Sequence, residues 1–203
     1  MQRVIAYVDG FNLYYGLRSR GWKRYYWLNV QQMAGLLLKP GQTLVATKYF
    51  TTLVTSPADK RNRQTTYLDA LRTLPNLSIC YGHYLEDTVT CQNCGYTYRA
   101  YHEKMTDVNI AMEMITDAFR DRFDLAFLIS ADSDLVPAVR AVRQLFSPKR
   151  VVLAFPPARY STALARLGSK PLHITQNILA KSRFPMEIVR PAGAIIACPQ
   201  EWR

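Results

Sequence analysis

Four aspartates fall at boundaries where the hydropathy of the chain changes. Asp9 ends the apolar run Val4 to Val8 and opens Asp9-Gly10-Phe11-Asn12. Asp132 and Asp134 follow a second apolar run, Leu125 to Ile129. Asp107 begins an amphipathic segment, Asp107-Val-Asn-Ile-Ala-Met-Glu-Met. If both apolar runs are parallel strands, their carboxyl ends share one sheet edge, where the crevices of open α/β sheets lie. Carboxylates gathered there repel, and need raised pKa values or a bound cation to coexist. Hard divalent cations such as Mg²⁺ take oxygen ligands of this kind. Taken singly, each aspartate has a plainer use: Asp132, Asp134 and Asp107 as caps or first-turn acids, Asp9-Gly10 as a turn. The chemical reading depends on all four meeting at one edge.

The elements that must bring them together alternate along the chain. Val4 to Val8 is apolar throughout, as a strand buried on both faces requires. A helix is expected over Asn12 to Arg20, ended near Gly21, and a short one within Trp27 to Leu38, stopped by Pro40-Gly41. Leu44 to Val54 and Leu77 to Tyr81 read as strands, separated by a helix that Ser56 caps with Pro57 at its first position. Thr106 is the expected cap of the helix that carries Asp107 and ends near Phe119. Strands at Leu125 to Ile129 and Arg150 to Phe155 flank a helix from about Leu135 to Phe146, and a short helix, strand and helix follow between Tyr160 and Lys181. This alternation predicts an α/β fold, a mostly parallel sheet with right-handed crossovers and helices on both faces. It also makes the first and fourth strands neighbours across a topological switch point. The expected organisation is one domain over 1–183, with a polar, Tyr-rich loop or small hairpin inserted at about 84–102, and an extended tail over 184–203.

The chain has 203 residues, is 49% apolar and carries a net charge of +11. That much positive charge points to a polyanionic partner. A basic surface around a concentrated acidic pocket suits phosphates held about a metal. No apolar run reaches the roughly 18–20 residues of a membrane span, so no membrane partner is expected. The first residues enter a strand with no signal-peptide pattern, which makes a cytoplasmic location the default expectation. The oligomeric state stays open, a homo-oligomer being compatible.

Arg18, Arg20, Lys23 and Arg24 are interleaved with Trp22, Tyr25, Tyr26 and Trp27. Cations among aromatics suit single-stranded nucleic acid, where phosphates pair and bases stack. The alternative is an aromatic cluster partly buried under a loop, which fits Trp27 better. The Lys60-Arg61-Asn62-Arg63 run has the look of a solvated helix face. Cys91-Gln-Asn-Cys94-Gly95 is half of a zinc site. With His83 and His102, two of the three histidines, it could complete a structural Cys₂His₂ zinc site. Free thiols are the alternative, since a second C-x-x-C is absent.

Three motifs exclude competing α/β chemistries by their absence: no G-x-x-x-x-G-K-[ST] loop, no G-x-G-x-x-G after the first strand and no G-x-S-x-G elbow. A phosphoacceptor lysine is also missing after the fifth strand, where Phe155-Pro-Pro-Ala stands.

Tyr7-Val-Asp-Gly-Phe-Asn-Leu-Tyr14, Glu103-Lys-Met-Thr-Asp-Val-Asn-Ile-Ala111 and Ser130-Ala-Asp-Ser-Asp-Leu135 together resemble the NYN domain family, LabA-like members of the PIN-like nucleases. The closing Pro199-Gln-Glu-Trp202 is similar to the end of such proteins. The resemblance covers nearly the whole chain and implies a Rossmann-like α/β/α fold with a Mg²⁺- or Mn²⁺-dependent ribonuclease site. By the match, Asp9, Asp107, Asp132 and Asp134 would be the acidic set, with Asn12 beside them. Lys104, three residues before Asp107, could reach a phosphate oxygen or a carboxylate, or be a solvated lysine. The expected activity is endonucleolytic hydrolysis of RNA by a metal-activated water, leaving 5′-phosphate and 3′-hydroxyl ends. The alternative is a non-catalytic RNA-binding or regulatory module that keeps the pocket.

Overall fold

A computed structural model describes the whole chain except residues 168, 169 and 192 and the side chains of 84–89 and 98–104. Its first half runs β1 (Gln2–Asp9), α1 (Gly10–Ser19), α2 (Val30–Gly35), β2 (Gln42–Thr51), α3 (Ala58–Leu71) and β3 (Leu77–Tyr81). A ribbon follows, β4 (His83–Thr90) and β5 (Thr97–Lys104), then α4 (Thr106–Phe119), β6 (Leu125–Ile129), α5 (Val136–Leu145) and β7 (Arg150–Phe155). The chain closes with α6 (Thr162–Ala165), β8 (Leu172–His173), α7 (Gln176–Lys181), β9 (Glu187–Val189) and β10 (Ile195–Ala197).

The central sheet has six strands in the order β3-β2-β1-β6-β7-β8, all parallel. Alternation of side chains along each strand divides the core in two. Val4, Ala6 and Val8 point to the face covered by α1, α2 and α3, where Leu13, Met33 and Leu68 pack. Ile5 and Tyr7 point to the opposite face, under Ile110 and Met114 of α4 and Val139 and Val142 of α5. With both faces covered, β1 has no room for polar side chains along its middle, which is why it reads as an unbroken apolar run. The order reverses between β1 and β6, and Val8 lies opposite Ile129 there. Asp9 and Ser130 come next on each strand, at the switch point.

Several expected boundaries shift. The cap of α3 is Pro57, one residue later than expected, with the helix starting at Ala58. The cap of α4 is Met105, in the left-handed region at φ 75°, and Thr106 is the first helical residue. The Thr106 hydroxyl lies 3.5 Å from that of Thr52 instead of capping the helix. The segment 184–203 is extended only locally. It folds into an antiparallel hairpin of β9 and β10, followed by a 3-10 turn at Gln200–Trp202. Phe184 and Trp202 are buried in the α1–α3 core, because the apolar side chains of this segment find that face unfinished without them.

Candidate functional site

Helices that connect parallel strands run back along the sheet, so their N-termini lie at the carboxyl edge. α4 therefore delivers Asp107, in its first turn, to the same edge as the ends of β1 and β6. Asp107 sits on the stripe of α4 that continues as Ile110 and Met114, both fully buried. The chain beyond β6 supplies Asp132 and Asp134. One carboxylate oxygen from each of Asp107, Asp132 and Asp134 lies within 4.8 Å of the others. Among the described residues this is the one group of His, Cys, Asp or Glu gathered closely enough to hold an ion.

Asp9 stands beside this trio, outside it. It is buried, 4% exposed. Ser130 Oγ donates to its Oδ2 at 2.8 Å, and the Asn12 backbone N–H donates to its Oδ1 at 2.9 Å. Asn12 in turn accepts the Ala131 N–H on its Oδ1 at 3.1 Å, which stitches α1 to the loop after β6. Ser130 also accepts the Asp132 N–H at 3.0 Å, and Asp132 Oδ1 accepts the Asp134 N–H at 3.0 Å. Asp9 and Asp132 thus cap the turns that follow their strands while still facing the cluster. The capping use and the charge cluster are one arrangement.

The charges respond to this crowding. Burial raises the pKa of Asp107 to about 6, and the neighbouring Asp9, Asp132 and Asp134 add to the rise. Tyr49, buried and close to Asp9, is held neutral, its pKa raised first by burial and then by that carboxylate. Four acids with a half-buried member at about 6 are a set of hard oxygen donors short of positive charge, and such a set fits a divalent cation.

Of the other expected residues, Arg18, Arg20, Lys23 and Arg24 are exposed. Arg24 lies over the Tyr25 ring at 4.9 Å. Trp27 is fully buried and donates Nε1–H to the Pro185 carbonyl at 2.7 Å, so it is core, with no face for a base. The side chains of Lys104 and His102 lie outside the described residues. Within the expected Cys₂His₂ set, His83 does not meet the cysteine pair. His83 begins β4 and pairs with Lys104 at the base of the ribbon, while Cys91 and Cys94 form the turn at its tip. Eight residues of strand put about 24 Å between the two ends, too far for one ion. In the turn, backbone N–H groups of Cys94 and Asn93 lower the pKa of the Cys91 thiol.

A cavity of about 560 Å³ opens on the α1–α3 face. Gly10, bonded to Asp9, is part of its wall, with Tyr14 and Arg18 of α1, Lys60 and Arg63 of α3, and Trp202. No sequence pattern announced it, because its lining comes from α1, β2, α3 and the chain terminus. Ser130 was within reach of sequence reasoning: a serine at the end of a buried strand, directly before the acidic pair, needs a polar partner.

A family model described as the NYN domain matches residues 3–173. The chain belongs to the NYN domain family. NYN domains fall within the PIN-like nuclease superfamily, and the parallel α/β/α architecture agrees with that placement. This NYN chain is 25% identical, over 240 aligned positions, to 6-hydroxy-3-succinoylpyridine 3-monooxygenase HspA of Pseudomonas putida (strain DSM 28022 / S16), covering 98% of the chain and 75% of that relative. A crystal structure of a protein of unknown function from Vibrio parahaemolyticus RIMD 2210633 superposes with a TM-score of 0.59 at 17% identity, covering 90% of this chain and 96% of that one, and so shares the fold. No helix of the NYN chain, among the described residues, is long and apolar enough to cross a membrane.

Proposed function

We propose that this NYN chain is a metal-dependent endoribonuclease that hydrolyses RNA phosphodiester bonds to 5′-phosphate and 3′-hydroxyl ends, with Mg²⁺ or Mn²⁺ as its cation. The observation that carries the reading is the meeting of Asp107, Asp132 and Asp134 within 4.8 Å in a chain of nuclease family. A divalent ion held there would supply Lewis acidity and a lowered pKa for water. Asp107, Asp132 and Asp134 would hold it. Asp9, fixed by Ser130 and the Asn12 backbone, adds negative charge beside them and keeps the cation preferred over a proton. Asn12 keeps the loop after β6 at its distance from α1, and so sets the separation of Asp132 from Asp9. Phosphates of the strand would be drawn by the positive charge of the whole protein, with Arg18 and Lys23, which line the cavity that Gly10 also borders, among the expected contacts.

The test is cleavage of a mixed single-stranded and structured RNA pool with Mg²⁺ or Mn²⁺, with EDTA, and with Asp132→Asn. Metal-dependent cleavage lost in the variant, with 5′-phosphate ends, is the expected result. Equal cleavage by Asp132→Asn would overturn the assignment, and salt-sensitive RNA binding with no cleavage would make the chain a binding module.

A second reading is favoured by the cavity beside Gly10. The curated relative is named for a monooxygenase reaction on a substituted pyridine, and an aromatic-lined cavity could take such a ring. A small aromatic acid would then be the substrate, and RNA would stay intact under every metal condition of the same assay.

A further inference from the structure

We infer that the cavity between α1 and α3 is a nucleotide pocket, which takes a planar aromatic base against Tyr14 and Tyr15 with its phosphate at a rim of Arg18, Lys23 and Lys60. The assignment to a nucleotide of an RNA strand rests on the nuclease reading; the affinity for a ring bearing an anion does not.

The volume, about 560 Å³, is in the range of small-ligand sites. Eight of its 22 lining residues are aromatic. On α1, Phe11, Tyr14, Tyr15 and Arg18 follow helical spacing and line it together, while Asn12 points across to the loop after β6. Tyr14 and Tyr15 stay 37% and 43% exposed, an unusual pair of half-open rings so near a buried core. Tyr14 lies 4.9 Å from Tyr26, and Tyr26 meets Trp202 edge-on at 5.7 Å, giving a continuous aromatic wall. Aromatic faces of this kind stack on any base, without selecting its sequence.

The charge at the cavity is one-sided. Four cations line it, Arg18, Lys23, Lys60 and Arg63, against one carboxylate, Glu201. Glu201 is engaged with Arg63 at 3.0 Å, and Arg63 also pairs with Asp59 at 2.8 Å. Arg18, Lys23 and Lys60 have no ion pair with any described residue, which leaves three positive groups at the rim for an anion. The geometry also joins the pocket to the acidic edge. Gly10 lines the cavity and directly follows Asp9, so an anion at the rim and a neighbouring phosphate at the carboxylates can belong to one strand. Stacking next to the cluster would position that strand for attack, and a free mononucleotide or pyridine carboxylate carries the same ring and charge.

The test is titration of the full chain in EDTA, followed by tryptophan fluorescence and calorimetry, with adenosine 5′-monophosphate, nicotinate and inorganic phosphate. Adenosine 5′-monophosphate is expected to bind more tightly than inorganic phosphate, and to weaken about fivefold or more in Tyr14→Ala and again in Lys60→Ala. Both residues are on the surface, and circular dichroism checks that each variant folds. Cleavage of the RNA pool with Mn²⁺ is measured in parallel, where Tyr14→Ala should raise KM for single strands. Equal binding by wild type and both variants, with cleavage intact, overturns the pocket and leaves the nuclease. Nucleotide binding that depends on Tyr14, with no cleavage in any metal, supports the pocket while the nuclease reading fails. Nicotinate binding tighter than the nucleotide, with cleavage indifferent to Tyr14→Ala, overturns the assignment to RNA.

Discussion

Ser130 Oγ donates to Asp9 Oδ2 at 2.8 Å and so ties the end of β6 to the end of β1. The same oxygen accepts the Asp132 N–H at 3.0 Å. One fully buried hydroxyl therefore fixes two members of the acidic set relative to each other, across the point where the strand order reverses.

Ser130→Ala should lower stability by about 1–3 kcal/mol, the cost of breaking buried hydrogen bonds. It should also weaken Mn²⁺ binding about tenfold, as loss of a group that orients ligands does. Urea denaturation and a Mn²⁺ titration check this together. A variant that keeps full metal affinity would mean that Ser130 does not position the ligands.

Asp107 predicts a pH dependence with a definite sign. Its folded-state pKa of about 6 is above the ordinary 3.8. The metal-free fold therefore holds this proton more tightly than the unfolded chain does. The corresponding stability is fully present below pH 3.8 and is lost as the pH rises through 6. Against Asp107→Asn, metal-free wild type should lose melting temperature over that window, and saturating Mn²⁺ should reverse the trend. Apparent Mn²⁺ affinity should fall about tenfold per pH unit below 6, as a proton competes for the ligand. Affinity flat from pH 5 to 7 would exclude Asp107 from the ion.

Asp117 is fully buried on α4, where it accepts from Tyr7 Oη at 2.7 Å and pairs with Lys48 and with Arg122, the latter at 3.1 Å. Glu113 also pairs with Lys48. Asp117→Ala would strip Tyr7 of its acceptor and leave Lys48, 10% exposed at its side chain, short of counter-charge. The expected cost is about 3–5 kcal/mol, measured by urea denaturation. The double change Lys48→Met with Asp117→Leu should recover much of it. A cost under about 1 kcal/mol for Asp117→Ala would show that the pair is not a keystone of the α4 face.

Gly10→Ala tests a close approach. A Cβ there would lie 2.6 Å from the Phe50 carbonyl oxygen and from the Tyr49 ring. The carbonyl belongs to β2 and cannot step aside. Gly10→Ala should cost about 1–3 kcal/mol through overpacking and move the start of α1 away from Asp9. A thermal melt equal to wild type would show that α1 has room to shift.

The strands, most helices and three of the four aspartates' common destination were legible because burial writes itself into local pattern. β1 along its middle and β6 along its length are covered on both faces, so both read as unbroken apolar runs there. α4 is covered on one, so Ile110, Met114 and Ala118 recur at helical spacing. Errors came where a side chain had two local uses. Thr106 is a good cap by type, but Met105 takes the cap position in a left-handed turn and Thr106 faces Thr52. His83 stays apart from the cysteine pair because sequence proximity in a ribbon measures contour length: His83 begins β4, and Cys91 follows its last residue, Thr90.

By itself, the sequence determined the alternating α/β elements, the sheet edge shared by the carboxyl ends of β1 and β6, and the basic composition of the chain. These follow from periodicity and from the rule that parallel strands present their carboxyl ends together. Only the tertiary structure decided that Asp9 stands beside the trio, that Ser130 clamps it, that Lys48 of β2 and Asp117 of α4 meet between sheet and helix, and that α1, α3 and Trp202 border a cavity. Each of those depends on side chains far apart in the chain, whose separation is set by packing and hydrogen bonds that no local pattern encodes.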